Sequence, residues 1–349
     1  MLNIVVGNKC NLNCNHCFLS KSYNKPYKSE PRLYEYNIKY DKIDKNNVNR
    51  YISIITSNKF RELLVKNNIK SISLFSFGDI MMEDKETLTN ISFLVSKLKS
   101  LYPSLNIKLQ TNFVYHVTEE METLLNKVDA IRTSFDIQTR FRTINDIILW
   151  YSNIKHWSNI KPIKLEIVAT SPLIQRRKKL IRVLKKLIDK KLIDTFYVYP
   201  ITSIGNARHG RLIPSDTDLF IQLLKDLMSL DVKSNTIIDA LVNKEYYKAF
   251  DIYAVPVPIL SLNNNTLIDN IYYNRKEERF VIGNNIESYA INDKCLICPF
   301  YSKCGGYYKT DIVDENYCPF LNNFMDEYNV TTLYDIALEK YLERNDINE

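Results

Sequence analysis

Apolar residues in the first two-thirds of the chain fall either into short runs or into longer stretches with helical spacing. The short runs predict strands at Leu2–Val6, Ser71–Phe75, Asn106–Gln110, Ala130–Thr133, Ile163–Val168 and Thr195–Tyr199. The longer stretches predict helices at 47–66, 86–101, from about Thr118, 144–157 and 173–192. Strands that alternate with helices indicate parallel βαβ units. We therefore expect an α/β fold, a partial (βα)6 barrel of the TIM type, over residues 1–211.

The pattern changes after Arg211. Two more helices are predicted at 215–230, with Ser215 as N-cap, and at 236–250, and short strand-like runs separated by Asn-rich turns follow over 255–285. A last helix is predicted at 331–343, after a cysteine-rich segment at 293–320. These features predict a connecting region over 212–290 and a small α+β extension over 291–349.

Composition and charge exclude some functions. The chain has 349 residues, of which 45% are hydrophobic and 25% charged, as in ordinary soluble proteins. No apolar run approaches the ~18 residues of a membrane helix, and the first residues do not resemble a secretion signal. We therefore expect a cytoplasmic protein without a membrane span. The net charge of +7 arises from 47 basic and 40 acidic residues spread along the chain, which does not predict a nucleic-acid partner.

Cysteines form two tight groups. Seven are present: Cys10, Cys14, Cys17, Cys295, Cys298, Cys304 and Cys318. An odd number argues against a complete disulfide framework, and the short spacings predict metal or iron–sulfur ligation instead. Three thiolates suit one face of a four-iron cluster. A zinc site is the alternative for the first group, with His16 as the fourth ligand.

The first group also resembles a known family. C-x3-C-x2-C after a first strand, with His16 and Phe18 on either side of the third cysteine, resembles the radical SAM superfamily. The resemblance implies a catalytic [4Fe–4S] cluster held by Cys10, Cys14 and Cys17. It also implies that the open iron binds the amino and carboxylate groups of S-adenosylmethionine, which is cleaved to a 5′-deoxyadenosyl radical.

Further motifs of that family follow the later predicted strands. They are Ser76-Phe77-Gly78-Asp79 for its Gly-Gly-Glu, Thr111-Asn112-Phe113 for its Thr-Asn-Gly, Ser134-Phe135-Asp136 for its Ser-Leu-Asp, and Gly205-Asn206-Ala207 for its Gly-Arg-Ala. The resemblance implies S-adenosylmethionine contacts from His16, Phe18, Gly78, Asp79, Asn112, Ser134, Asp136, Arg142 and Gly205. Of these, Asp79 is expected at the amino group, Ser134 at the ribose and Arg142 at the carboxylate, with Arg140 as a competitor. Taken singly, each residue also suits a turn, a cap or a solvated surface.

The second cysteine group reads C-x2-C-x5-C, followed by Cys318. It resembles the SPASM extension of radical SAM enzymes that modify peptides, and Val281-Ile282-Gly283-Asn284 resembles the strand before that motif. Tyr308 stands where the full motif has another cysteine, so the resemblance implies a reduced, twitch-like extension. Four thiolates would then hold one auxiliary [4Fe–4S] cluster, with a structural zinc as the alternative.

The number of cysteines limits the possible reactions. Three ligands for the first cluster and four for the second use all seven cysteines. No cysteine remains to donate a hydrogen atom, so the count disfavours a Cys-dependent epimerase. We expect oxidative modification, a crosslink or a dehydrogenation, of a side chain in a ribosomally made peptide or protein, with an electron donor such as flavodoxin or ferredoxin. The alternatives are a twitch-type dehydrogenase of a small molecule, an epimerase with a non-Cys hydrogen donor, and a non-enzymatic zinc-binding module.

The predicted helix at 173–192 is strongly basic and begins near Arg176-Arg177-Lys178-Lys179. Its apolar residues recur at helical spacing, which suits the solvated outer helix of a barrel. The alternative is a landing surface for an acidic peptide or leader segment.

Overall fold

A computed structural model provides the coordinates. It describes residues 2–200 apart from 8, 13, 18–42, 67, 77 and 137–139. It further describes 212, 217–230, 236–243, short strands between 259 and 282, and 327–346.

Six parallel strands form the expected partial barrel. They are β1 (Leu2–Gly7), β2 (Ser71–Ser76), β3 (Asn106–Gln110), β4 (Ala130–Phe135), β5 (Ile163–Ala169) and β6 (Thr195–Pro200). Each strand pairs in parallel with the next one along the chain. The predicted α/β class and the six βα units are confirmed.

The sheet continues beyond β1. A short strand β7 (Ile259–Leu260) pairs with β1 in parallel, and β8 (Leu267–Ile268) pairs with β7 in antiparallel orientation. The order is β6-β5-β4-β3-β2-β1-β7-β8, so the sheet does not close. The strands β9 (Ile271–Asn274) and β10 (Arg279–Ile282) form a separate antiparallel pair. Short strands were predicted at 255–285, but the addition of one to β1 was not.

The helices follow the predicted order. They are α1 (Lys45–Thr56), α2 (Asn58–Lys66), α3 (Lys85–Leu101), α4 (Glu119–Lys127), α5 (Ile144–Trp157), α6 (Ser171–Gln175), α7 (Arg177–Asp189), α8 (Thr217–Met228), α9 (Thr236–Val242) and α10 (Glu327–Asp346). Thr118 caps α4 as predicted, because its hydroxyl accepts from the Met121 amide. The predicted N-cap Ser215 and the predicted helical residues 244–250 lie outside the described residues.

Two predicted single helices are each two helices. The stretch 47–66 breaks at Ser57, whose hydroxyl accepts from the amide of Phe60 at 3.2 Å and so starts α2. The stretch 173–192 breaks at Arg176, between α6 and α7. Apolar periodicity alone misses such breaks, because it continues across them.

The two faces of the sheet differ in chemistry. One face carries fully buried apolar residues such as Ile72, Leu109 and Ile131. Helices cover this face, since Trp150 of α5 donates from Nε1 to Thr133 of β4 at 3.3 Å. The opposite face of β3–β5 carries polar side chains: Lys108, Gln110, Arg132, Ser134, Lys164 and Glu166. The strands therefore offer a polar concave surface beside an apolar core.

The last helix, α10, packs against α8 and α9 and buries Leu333 and Ala337. The division into segments 1–211, 212–290 and 291–349 stays a prediction.

None of the described helices has the length and apolar character that a bilayer crossing requires.

Candidate active site

The first cysteine group lies in the loop after β1, at the carboxyl end of the sheet. Cys14 is buried, and Cys10 and Cys17 are partly buried. Within the described loop none of the three is in a disulfide. The Cys17 amide donates to the Cys14 carbonyl at 3.1 Å, which closes a tight turn. Phe18 lies outside the described residues.

The start of this loop is held by the chain that follows β2. The Lys9 amide donates to Glu83 Oε1 at 2.9 Å, and the Lys9 carbonyl accepts from the Asp79 amide at 2.5 Å. Gly7 makes this possible, because a Cβ there would lie 2.7 Å from Glu83 Oε1. Glycine at the end of β1 thus allows Glu83 to approach and fix the backbone that leads into Cys10.

Asp79 joins the segment after β2 to the segment after β3. Its side chain accepts from the Met81 amide at 2.9 Å through Oδ1 and from the Asn112 amide at 2.6 Å through Oδ2. The Thr111 hydroxyl lies 3.0 Å from both oxygens. Burial raises the pKa of the Asp79 carboxyl, and these donors oppose the rise. Asp79 therefore holds two loops together, and its contact with the S-adenosylmethionine amino group, which the resemblance implies, stays a prediction.

Asn112 ties the segment after β3 to the cysteine loop. Its Nδ2 donates to Asn11 Oδ1 at 2.8 Å, and Asn11 Nδ2 donates to the Val114 carbonyl at 2.6 Å. Asn112 Oδ1 accepts from the Val114 amide at 2.7 Å. The loops after β1, β2 and β3 therefore form one hydrogen-bonded unit. Sequence reasoning missed Asn11, which lies between the first two cysteines.

His16 and Asp136 meet at the same end of the sheet. His16 Nδ1 lies 3.8 Å from Asp136 Oδ2, and both residues are buried. Burial, helped by the charge of Arg140, lowers the pKa of His16 to about 4, against the attraction of Asp136. Asp136 also accepts from the Thr170 hydroxyl at 3.3 Å.

Ser134 lies beside a carboxylate that sequence reasoning missed. Its hydroxyl is 3.5 Å from Glu166, which also accepts from Gln110 Nε2 at 2.7 Å. Arg132 Nη1 lies 3.5 Å from Glu166 Oε1. Polar residues within otherwise apolar strands were the sequence feature that could have indicated Glu166. The register of β4 and β5 places Ser134 next to it.

The two candidate arginines are in different places. Arg142 is exposed, and its amide donates to Asp146 near the start of α5 at 2.7 Å. Arg140 is half-buried, and its charge acts on both His16 and Asp79. Its Nε is buried and has no hydrogen-bond partner among the described residues. The charge of Arg140 thus acts on two residues of the site loops, whereas the described contact of Arg142 is with the start of α5.

Of the other predicted site residues, the structure describes only some. The Gly78 amide donates to the Ser76 hydroxyl at 3.1 Å within the turn after β2. Gly205 and the four cysteines of the second group, Cys295, Cys298, Cys304 and Cys318, lie outside the described residues. Val281 and Ile282 end β10, while Gly283 and Asn284 are outside the described range.

Phe113 has a positive φ of 58° at the position where the resembled motif has glycine. The ring is fully buried and lies 6.3 Å from that of Tyr115. Removing a buried Phe side chain costs about 3–5 kcal/mol. Glycine escapes the ~1–2 kcal/mol backbone penalty that alanine meets at positive φ. We expect Phe113→Gly to be more stable than Phe113→Ala, measured by urea unfolding.

The matched control is Phe196, a fully buried residue in β6. Phe196→Ala should be more stable than Phe196→Gly, because glycine destabilises the interior of a strand relative to alanine. The same order at both positions would contradict the interpretation of Phe113.

Comparison with solved structures gives matches over nearly the whole chain. One of them is native anSMEcpe with bound AdoMet, with a TM-score of 0.60, 13% identity and coverage of 99% of this chain and 100% of that chain. Its complex with AdoMet and the Cp18Cys peptide has a TM-score of 0.58, 14% identity and coverage of 99% of both chains. That enzyme is an anaerobic sulfatase-maturating enzyme of the radical SAM type.

The chain has the fold of a radical SAM enzyme. The resemblance inferred from the cysteine spacing is thus confirmed for the fold. No protein-family model matches the sequence, and no curated protein is significantly similar to it.

Proposed function

We propose that this protein is a radical SAM enzyme that oxidatively modifies a side chain of a ribosomally made peptide or protein. One observation carries the proposal. The cysteine loop, the Asp79 segment and the Asn112 segment lie at one end of a parallel sheet and are hydrogen-bonded to each other. The peptide complexes of anSMEcpe, which has the same fold, support a peptide substrate.

The donor set fits an iron–sulfur cluster. No three Cys, His, Asp or Glu side chains in the described part of the chain converge on a single metal ion. A four-iron cluster binds each thiolate through a different iron, so its ligands need not converge. Cys10, Cys14 and Cys17 would hold it, and when bound it supplies the electron that cleaves S-adenosylmethionine. The loop contacts at Lys9 and Asn11 hold the backbone that carries these ligands.

Arg140 fits the carboxylate of S-adenosylmethionine better than Arg142 does. A buried guanidinium Nε without a partner among the described residues suits an anion that is part of the ligand. Arg140 is therefore the cation that we assign to that carboxylate. The other proposed contacts are unchanged: His16, Phe18, Gly78, Asp79, Asn112, Ser134, Asp136 and Gly205.

Replacing each arginine by alanine shows which of the two binds the carboxylate of S-adenosylmethionine. Charge-assisted hydrogen bonds are worth ~1.5–3 kcal/mol, or roughly 10–150-fold in affinity. Arg140→Ala should weaken S-adenosylmethionine binding by about that factor, and Arg142→Ala, the matched control, by about twofold or less. Equilibrium dialysis of the anaerobic protein measures both. Weakening by Arg142→Ala alone would restore the assignment made from the resemblance.

For the second cysteine group we propose an auxiliary [4Fe–4S] cluster that carries electrons. Four thiolates close its coordination, so it has no iron for a substrate. We expect Cys298→Ala and Cys318→Ala to retain reductive cleavage of S-adenosylmethionine but to yield little product. Quantifying 5′-deoxyadenosine and modified peptide in the same reactions tests this. Full product yield would contradict an electron-transfer role.

The reaction is tested with the anaerobically purified protein, reduced with dithionite. Methionine and 5′-deoxyadenosine should form in equal amounts, and intact S-adenosylmethionine would overturn the proposal. A co-expressed precursor peptide encoded beside the gene should lose two hydrogen atoms by mass spectrometry. An unchanged mass with solvent deuterium would instead indicate epimerisation with a non-Cys donor.

A further inference from the structure

A cleft lies between α5 and α7 on the outside of the barrel. Its volume is about 400 Å³. Its lining includes four large apolar side chains, Phe135, Phe141, Trp150 and Leu187. The three aromatic rings contact each other, with centroids separated by 5.0 to 5.9 Å. They form one continuous apolar floor.

Apolar surface extends from this cleft along α5. Ile144 is 76% exposed, Ile147 44% and Ile148 57%. Their spacing of three and four residues places them on one side of the helix. A group of large, solvent-exposed aliphatic side chains indicates a surface that contacts another molecule. The apolar surface is therefore longer than the cleft, which suits an extended or helical segment more than an enclosed small molecule.

The opposite wall is basic. Lys179, Lys186 and Lys190 line the cleft, and none of the described lining residues is acidic. Lys190 Nζ lies 3.2 Å from the hydroxyl of Tyr151, which reaches the cleft from α5. The helix α7 contains six Lys or Arg residues and one Asp. The charge next to the apolar floor is therefore positive.

These lysines are separate from the packing of α7 on the barrel. Leu180, Leu184 and Leu187 are buried and account for the apolar stripe seen in the sequence. Arg177 pairs with Asp226 of α8 at 3.1 Å and serves helix packing. Lys179 and Lys186 are two helical turns apart on another side of the helix. The helix thus carries a buried stripe and, beside it, a basic stripe along the cleft.

We propose that the cleft between α5 and α7 binds an acidic amphipathic segment of the peptide or protein substrate. Its apolar side chains would occupy the aromatic floor, and its carboxylates would face Lys179, Lys186 and Lys190. Phe135 ends β4, so the cleft adjoins the carboxyl end of that strand, where the chain continues to Asp136 and Arg140. The identification of the bound segment as substrate rests on the proposed function. Its acidic and amphipathic character is inferred from the lining of the cleft alone.

The test uses the full-length protein and three fluorescein-labelled helical peptides. One has Leu at helical spacing and Glu elsewhere, the second has Lys in place of Glu, and the third has Ser in place of Leu. Fluorescence anisotropy should show the Leu–Glu peptide binding at least about tenfold more tightly than either of the others. Lys186→Glu and Ile147→Ser should each weaken it by about tenfold. Equal binding of the three peptides, or no binding, would overturn the proposal.

Lys185→Glu is the matched control. It makes the same charge change on an exposed residue of the same helix, one that does not line the cleft. It should change the affinity by about twofold or less. An equal loss from Lys185→Glu and Lys186→Glu would mean a diffuse charge effect and contradict a defined site.

Cleavage of S-adenosylmethionine with dithionite separates this proposal from the proposed function. Lys186→Glu and Ile147→Ser should leave that rate unchanged. If the unaltered protein does not cleave S-adenosylmethionine but still binds the Leu–Glu peptide, the proposed function is wrong and the binding site in the cleft is retained. If the variants slow cleavage only when flavodoxin is the reductant, the surface serves the electron donor and the proposal fails. It also fails if sedimentation shows a dimer that Ile147→Ser dissociates.

Discussion

Replacing Cys10, Cys14 and Cys17 together with alanine is expected to abolish reductive cleavage of S-adenosylmethionine. Without thiolates the loop after β1 has no ligand for iron. The iron content should fall from about eight to about four atoms per chain, because the second cysteine group keeps its cluster. Iron analysis and quantification of 5′-deoxyadenosine measure the two effects.

The control is Asn15→Ala, an exposed residue in the same loop. It should keep both the iron and the cleavage activity. Circular dichroism should show that the triple variant remains folded. Cleavage by a folded triple variant would contradict the radical SAM assignment, and loss of all iron would contradict an independent cluster on the second group.

Asp79→Asn is expected to lower the free energy of unfolding by about 1.5–3 kcal/mol, the value of a hydrogen bond to a charged group. Each carboxylate oxygen accepts one backbone amide, from Met81 or from Asn112. Asparagine has a single side-chain oxygen, so in either orientation its amide group faces an N–H donor. One buried N–H is then left without an acceptor. Urea unfolding measures the change.

A double-mutant cycle with Thr111→Val shows whether the loss arises in this network. The Thr111 hydroxyl contacts both oxygens of Asp79, so the two substitutions should be less than additive. Asp189→Asn, at the exposed end of α7, is the control and should change stability by less than about 0.5 kcal/mol. Additive losses would mean that Asp79 and Thr111 act independently.

The fold could be predicted closely because each barrel strand is a short apolar run next to its neighbour in the chain. β3 has the predicted bounds, and the other five differ at their carboxyl ends. The helix breaks at Ser57 and Arg176 were missed, because apolar spacing continues through them. The pairing of β7 with β1 joins residues remote in sequence, and no local pattern reports it.

The site was predictable only in its composition. Motifs after the strands indicated which loops meet, but not which side chain contacts which. Asp79 was predicted to contact S-adenosylmethionine, which stays a prediction, but the backbone amides that its two oxygens accept between the loops were not predicted. Arg140 and Arg142 are two residues apart, and only the course of the chain into α5 distinguishes them. Glu166 followed from no motif, because it joins the site through strand register.

The pairing of β1 has a consequence for synthesis on the ribosome. The strands β1 to β6 are adjacent in the sheet in the order in which they are made, so they can pair as the chain emerges. The other side of β1 stays open until Ile259 and Leu260 have been translated. An unpaired edge invites association with other chains. Nascent chains that stall before Ile259 should therefore aggregate through the strand that precedes the cysteine loop.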